Sequence, residues 1–120
     1  MADIVFVCYP KCSTCKKAQK WLTDHGISFT VRDIVTDNPQ AVELQEWHQA
    51  SGLPIRRFFN TSGMLYREQN IKEKLDAGMS DEEAYELLST NGMLVKRPII
   101  VGKGVVLTGF READWERALL

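Results

Sequence analysis

The chain has 120 residues, 44% of them hydrophobic and 26% charged, which suits one globular domain better than two. Its 15 Lys and Arg against 16 Asp and Glu give a formal net charge of -1, which excludes a general attraction to nucleic acid and makes any basic surface local. No apolar run approaches the ~20 residues of a membrane span, and the opening Met1-Ala2-Asp3-Ile4 lacks a secretory signal, so a cytoplasmic protein without membrane contact is expected.

Ile4-Val5-Phe6-Val7 is a continuous apolar run rich in β-branched residues, the pattern of a strand buried on both faces, and Tyr9-Pro10 ends it. From Ser13 the apolar positions change to Ala18, Trp21 and Leu22, with Lys16, Lys17, Gln19 and Lys20 on the other face, which predicts an amphipathic helix ending at Gly26. Ile27 to Ile34 alternates apolar and polar residues and reads as a second strand. The resulting β-α-β unit implies a right-handed crossover and a parallel strand pair.

Asn38-Pro39 resembles an N-cap followed by proline in the first helical position, and Leu44, Trp47 and His48 form the stripe of a helix that ends near Gly52-Leu53-Pro54. A polar loop is expected around Asn60-Thr61-Ser62-Gly63. Asn70 with Glu73 and Ser80 with Glu83 have capping-box spacing, and Leu87 and Leu88 carry the second of these helices to Asn91-Gly92. Then come Pro98 to Val101, a tight Gly102-Lys103-Gly104 turn and Val105-Val106-Leu107, a β-hairpin, and a short helix marked by Trp115, Ala118 and Leu119. The expected fold is α/β: one thioredoxin-like domain over residues 1–120, ordered β-α-β, helical insertion (38–95), β-β-α, with a mixed four-stranded sheet.

All three cysteines, Cys8, Cys12 and Cys15, fall within the first fifteen residues, which argues against a disulfide framework and for redox work or metal binding. Cys12-Ser13-Thr14-Cys15 stands where the first strand passes into the first helix. A thiolate is the reactive form of cysteine, and unpaired N–H groups at a helix N-terminus favour it at Cys12, with Lys11, Lys16 and Lys17 adding positive charge. Cys15, one turn on, can then resolve a mixed disulfide at Cys12. Zinc is the rival use, but it takes four ligands, and neither a second cysteine pair nor matching histidine spacing exists, so no metal is expected. His25 and His48 read as helix-surface or capping residues, and Cys8 as a packing residue able to act as an alternative resolver.

Lys96-Arg97-Pro98 precedes a strand, where thioredoxin-like folds place a cis proline facing the active cysteine; a cis Arg97-Pro98 bond is expected. Arg97 would bring a planar, permanent charge to Cys12, suited to an oxyanion or to the thiolate itself.

Tyr9-Pro10-Lys11-Cys12-Ser13-Thr14-Cys15-Lys16-Lys17-Ala18, Phe59-Asn60-Thr61-Ser62-Gly63 and Arg97-Pro98-Ile99-Ile100-Val101 together resemble the arsenate reductase (ArsC)/Spx/YffB family over essentially the whole chain. The resemblance implies a catalytic cysteine at Cys12, resolution by Cys15, substrate charge held by Arg97, and substrate contacts at Lys11, Ser13, Thr14, Asn60 and Pro98. It implies a thiol oxidoreductase with no bound cofactor, served by glutathione as co-substrate or by glutaredoxin or thioredoxin. The family's glutathione-linked arsenate reductases surround the cysteine with three arginines, of which only Arg97 matches here. Asn60 takes the place of the first, with Arg56 and Arg57 nearby, and Phe110 that of the third, with Arg111 one residue out of register, so weaker arsenate binding is expected. Those reductases also carry a histidine at the position of Cys8. Spx-type regulators imply the alternative, a redox-sensing transcription regulator that binds the RNA polymerase α subunit, with Gly52 as a contact or simply a helix C-cap. The end at Leu120, without the basic extension such regulators share, and the FNTSG segment favour the YffB-like branch.

Overall fold

The computed structural model describes residues 4–120; Met1-Ala2-Asp3, read above for a secretory signal, lie outside them. The central strand β1 (Val5–Cys8) pairs in parallel with β2 (Thr30–Asp33) and antiparallel with β3 (Ile99–Gly102), which pairs antiparallel with β4 (Val105–Thr108). The sheet order is therefore β2-β1-β3-β4, the mixed thioredoxin-like topology expected from the element order. A strand with neighbours on both edges and cover on both faces has no solvated side, which is why Phe6, Val7 and Cys8 are all buried. At the β3–β4 turn Lys103 (φ 52°) and Gly104 (φ 75°) both have positive φ, the two-residue geometry whose twist matches a hairpin.

The two faces bury separate clusters. On one, Phe6, Cys8 and Ile100 pack with Cys15, Ala18, Trp21 and Leu22 of α1 (Ser13–Asp24) and with Trp115 of α6 (Glu112–Leu119). Trp115 meets Trp21 edge-on at 5.7 Å and donates its indole N–H to the Gly109 carbonyl at 3.1 Å, tying α6 to the end of β4. On the other face Val7, Ile99 and Val106 pack against α2 (Ala41–Ser51), α5 (Asp81–Ser89) and the residues between them. Here His48 Nδ1 lies 2.6 Å from the Tyr85 hydroxyl, so this histidine joins α2 to α5.

Several local expectations change. The second strand is shorter than Ile27 to Ile34, because it is the sheet edge and only Thr30–Asp33 finds a partner. Its alternation breaks at Val31, which is 51% exposed, while Arg32 is held by two bonds to the Glu43 carboxylate, at 2.7 and 2.9 Å, with its guanidinium 5.7 Å from the Trp47 ring. α2 begins at Ala41, capped by Gln40, whose N–H donates to the Glu43 carboxylate at 3.1 Å; Asn38 instead donates its side-chain amide to the Ser89 carbonyl at 2.8 Å. Ser80 caps α5 as expected, accepting the Glu83 N–H at 3.2 Å, whereas Asn70 has left-handed backbone (φ 53°) and makes no side-chain cap before α4 (Ile71–Asp76). The loop around residue 60 leads into a further short helix, α3 (Met64–Glu68), and 3-10 turns lie at Ile55–Phe58 and Gly92–Leu94.

The second 3-10 turn lies against the end of β2. A Cβ on buried Gly92 would fall 1.8 Å from the Ile34 carbonyl oxygen, so two backbones meet there with no room for a side chain.

Candidate active site

The end of β1 enters a turn over Tyr9, Pro10 and Lys11 that closes when the Cys12 N–H donates to the Tyr9 carbonyl at 2.9 Å. Cys12 is the N-cap of α1, with extended backbone (φ -85°, ψ 123°). Burial would push its thiol up. The backbone N–H groups of Cys15 and Thr14, the Cys15 thiol and the Arg97 guanidinium together outweigh that, and the Cys12 thiol ionises below the ordinary cysteine value.

Cys15 behaves in the opposite way. It is 2% exposed, and its sulfur accepts the Tyr9 N–H at 3.4 Å. Burial, partly offset by that N–H and reinforced by the neighbouring Cys12 thiolate, leaves its thiol pushed up to about 12. Cys8 packs in the same cluster, and burial followed by the Asp33 carboxylate raises its thiol too. All three cysteines are free thiols. One accessible thiolate thus stands in front of two shielded thiols.

A test follows from these directions. Alkylation of Cys12 by iodoacetamide should rise with a midpoint below the ~8.5 of a free thiol, while Cys8 and Cys15 stay unreacted through neutral pH. A lowered ionisation keeps the thiolate populated as pH falls, so Cys12 should remain reactive at a pH where a free thiol has become inert. Peptide mass mapping across the titration checks this, and a midpoint at or above the free-thiol value contradicts the site.

The helical segment brings cations to this cysteine. Residues 58–60 run antiparallel to 94–96, with the Asn60 N–H donating to the Leu94 carbonyl at 2.8 Å, the Lys96 N–H to the Phe58 carbonyl at 2.9 Å, and a bridge between Phe59 and Val95. That pairing sets Arg56, Arg57 and Asn60 on the same cleft of about 540 Å³ as Cys12, Thr14, Lys96 and Arg97. Thr61, Ser62 and Gly63 line it beside Asn60, Thr108 to Arg111 line the wall beyond, and no acidic residue lines it among the described residues. Arg56 pairs with Asp76, whereas Arg57, Lys96, Arg97 and Arg111 form no ion pair among the described residues. Arg97 is oriented by its bond to the Met93 carbonyl at 3.4 Å and by the Tyr9 ring, 5.1 Å from its guanidinium carbon. The Arg97-Pro98 peptide is cis, as expected.

The residues singled out in the sequence therefore separate. Cys12, Thr14, Asn60 and Arg97 meet on the cleft, and Cys15 lies buried behind Cys12. Pro98 is buried and does not line the cleft; its carbonyl accepts the Gly109 N–H at 2.8 Å and so fixes the far wall. Lys11 and Ser13 are exposed and do not line it, and the leading causes that lower the Cys12 thiol are the N–H groups of Cys15 and Thr14, the Cys15 thiol and Arg97. Arg111 does line the cleft despite its offset in sequence. Phe110 lines the cleft at the position where the resemblance placed the third arginine, whereas Thr108 was not expected as a site residue; a hydroxyl at an inward strand position, next to a glycine, is the signal that marks it.

The sequence model of the ArsC family matches residues 8–118, a span that includes the cysteine pair, the helical segment and the cis-proline strand. The chain belongs to the ArsC family. Its relatives within or beside that family include YusI of Bacillus subtilis strain 168, 47% identical over 95% of this chain and 96% of its own length. Global transcriptional regulators named Spx also match, the one from Staphylococcus saprophyticus being 26% identical over 92% of this chain and 82% of its own. Among solved ArsC-like structures, a Bacteroides fragilis protein described as ArsC family related is 49% identical with a TM-score of 0.92, covering 97% of each chain. A Streptococcus mutans protein described as a possible arsenate reductase is 39% identical with a TM-score of 0.87, covering 97% of this chain and 99% of its own. A protein described as a possible arsenate reductase and proteins named as transcriptional regulators are thus both similar to this chain, and the fold alone does not separate the two roles.

Proposed function

We propose that this ArsC-family chain is a cytoplasmic thiol oxidoreductase of the arsenate reductase-like type, with Cys12 as nucleophile and Cys15 as resolver. The observation that carries the reading is the pairing of a stabilised Cys12 thiolate with a shielded Cys15 thiol at a cleft lined by Arg57, Lys96, Arg97 and Arg111.

The chemistry follows from the two ionisations. The Cys12 thiolate attacks one sulfur of a substrate disulfide; a Cys12–substrate bond forms, the substrate S–S bond breaks and the first thiolate leaves with its electron pair. Cys15 then loses its proton and attacks the Cys12 sulfur, the second substrate thiolate leaves, and the protein holds a Cys12–Cys15 disulfide. Two electrons have passed from the cysteine pair to the substrate. A thiol reductant, glutathione or a glutaredoxin- or thioredoxin-type protein, returns them. Cys15 suits the second step because its high ionisation keeps it protonated, and so out of competition with Cys12, until an adjacent disulfide forms.

A regulator that docks on the RNA polymerase α subunit would use the same pair as a switch, and the Spx relatives support that alternative. A cationic cleft beside the thiolate favours turnover of a small substrate. Measuring disulfide and arsenate reduction side by side, first with glutathione and then with thioredoxin as donor, tests the enzyme reading; no turnover with either donor sinks it. A Cys15→Ser variant should accumulate a mixed disulfide at Cys12, seen as a single thiol adduct by intact mass, where the parent protein passes on to its internal disulfide. Failure to trap any adduct removes Cys15 from the resolving role.

A further inference from the structure

Thr108 is the last residue of β4 and shares a face with Val106, two positions earlier. Val106 packs into the core between the sheet and the helical segment, and Thr108, 6% exposed, stands one step further on, where that core gives way to the cleft. Valine would fill this position with the same shape. A hydroxyl stands there instead, and its oxygen is shielded with no hydrogen-bond partner among the described residues. An unpaired buried hydroxyl weakens a fold, so folding gives no reason for it.

Its surroundings point to a ligand. Thr108 pairs with Ile99, which sets it across the hairpin from the Arg97-Pro98 peptide. Gly109 follows with φ +72°, and a Cβ there would come within 3.1 Å of the Lys96 Cε, so a glycine at this position leaves the lysine stem its place beside the end of β4. Thr108 and Lys96 therefore both line a cleft that no carboxylate lines among the described residues, the hydroxyl oxygen lying just beneath its surface. Together they match a carboxylate, which accepts from both and is attracted by the second.

We infer that Thr108 and Lys96 form a recognition pole for a carboxylate of the substrate, so that the enzyme prefers anionic small-molecule disulfides to neutral ones. This rests on the oxidoreductase reading above and specifies its substrate class. Cys12 and Arg97 hold the reacting sulfur, and Thr108 acts only on the distant charge.

Single-turnover reduction of two probes tests it. Dithiobis(nitrobenzoate) carries a carboxylate on each ring, and dithiodipyridine carries none. In each case the reduced protein becomes the Cys12–Cys15 disulfide and the probe becomes two aromatic thiols, read by absorbance, so no added reductant enters the rate. Thr108→Val should lower the ratio of the anionic to the neutral rate about tenfold, the effect of one hydrogen bond to a charged group. Lys96→Met should lower it at least as much, and Thr108→Ser should restore it to within about twofold. The melting temperature of Thr108→Val should equal or exceed that of the parent protein, since an unpaired hydroxyl has been removed. An unchanged ratio, an equal loss on both probes, or a lower melting temperature overturns the recognition pole while the oxidoreductase reading stands. Parent protein that reacts with neither probe at Cys12 overturns both.

Discussion

A Cys12→Ser variant should reduce a small aromatic disulfide at least about a thousandfold more slowly than the parent protein, the scale on which removal of a covalent nucleophile acts. Serine keeps the N-cap position, the cleft and the donors from Thr14, Cys15 and Arg97, and replaces only the atom that ionises. A hydroxyl stays protonated at any pH the fold survives, so those donors have no anion to stabilise. Serine is also a favoured N-cap, and its oxygen can accept from the first-turn N–H groups, so stability should hold or rise by up to about 1 kcal/mol. Rapid-mixing kinetics beside a thermal melt separates the two effects. Retention of the parent rate in a folded variant would assign the chemistry to another thiol.

Gly92→Ala should destabilise the fold by more than about 3 kcal/mol, among the largest effects of any single small substitution. The added Cβ would lie 1.8 Å from the Ile34 carbonyl oxygen and 2.7 Å from its carbon, both backbone atoms, so no side-chain rotation relieves the clash. Either β2 moves at its end or the 3-10 turn Gly92–Leu94 lifts. The second response reaches the site, because Leu94 accepts the Asn60 N–H and Lys96 donates to Phe58, the two bonds that align the helical segment with Arg97. A fall in melting temperature of about 10 °C or more, with weaker disulfide reduction at temperatures where the variant is still folded, is the expected result. Parent-like stability would mean that the close approach does not exist in solution. Gly78→Ala offers a contrast of different origin: nothing lies within 4 Å of its Cβ, and only its φ of +99° opposes the substitution.

The chain's own order of residues determined the sheet and the placing of the cysteine pair. A β-branched run, a lysine-faced helix after it and a glycine-turned hairpin are local patterns, each complete within a dozen residues, and they led directly to β1, α1 and the β3–β4 hairpin. The same locality put Cys12 at a helix N-terminus and Cys15 one turn behind, because helix dipole and spacing belong to the segment itself. Local pattern was a weaker guide where the partner decides. The second strand shortened because its outer edge has no neighbour, and Asn38 left its capping role because the Ser89 carbonyl, far along the chain, offered a better bond.

What only the tertiary structure decided is the character of the cleft. Arg57, Asn60, Lys96, Thr108 and Arg111 belong to three separate stretches, and nothing in their spacing says that they share one cleft. The antiparallel run of 58–60 beside 94–96 and the Gly109–Pro98 bond bring them together. Whether the two thiols differ was equally a matter of three dimensions: helix position favours both, and it is burial that raises Cys15 while Arg97, arriving just before β3 beside β1, helps to lower Cys12. Charge and burial act through space, whereas the patterns legible in a sequence act along the chain.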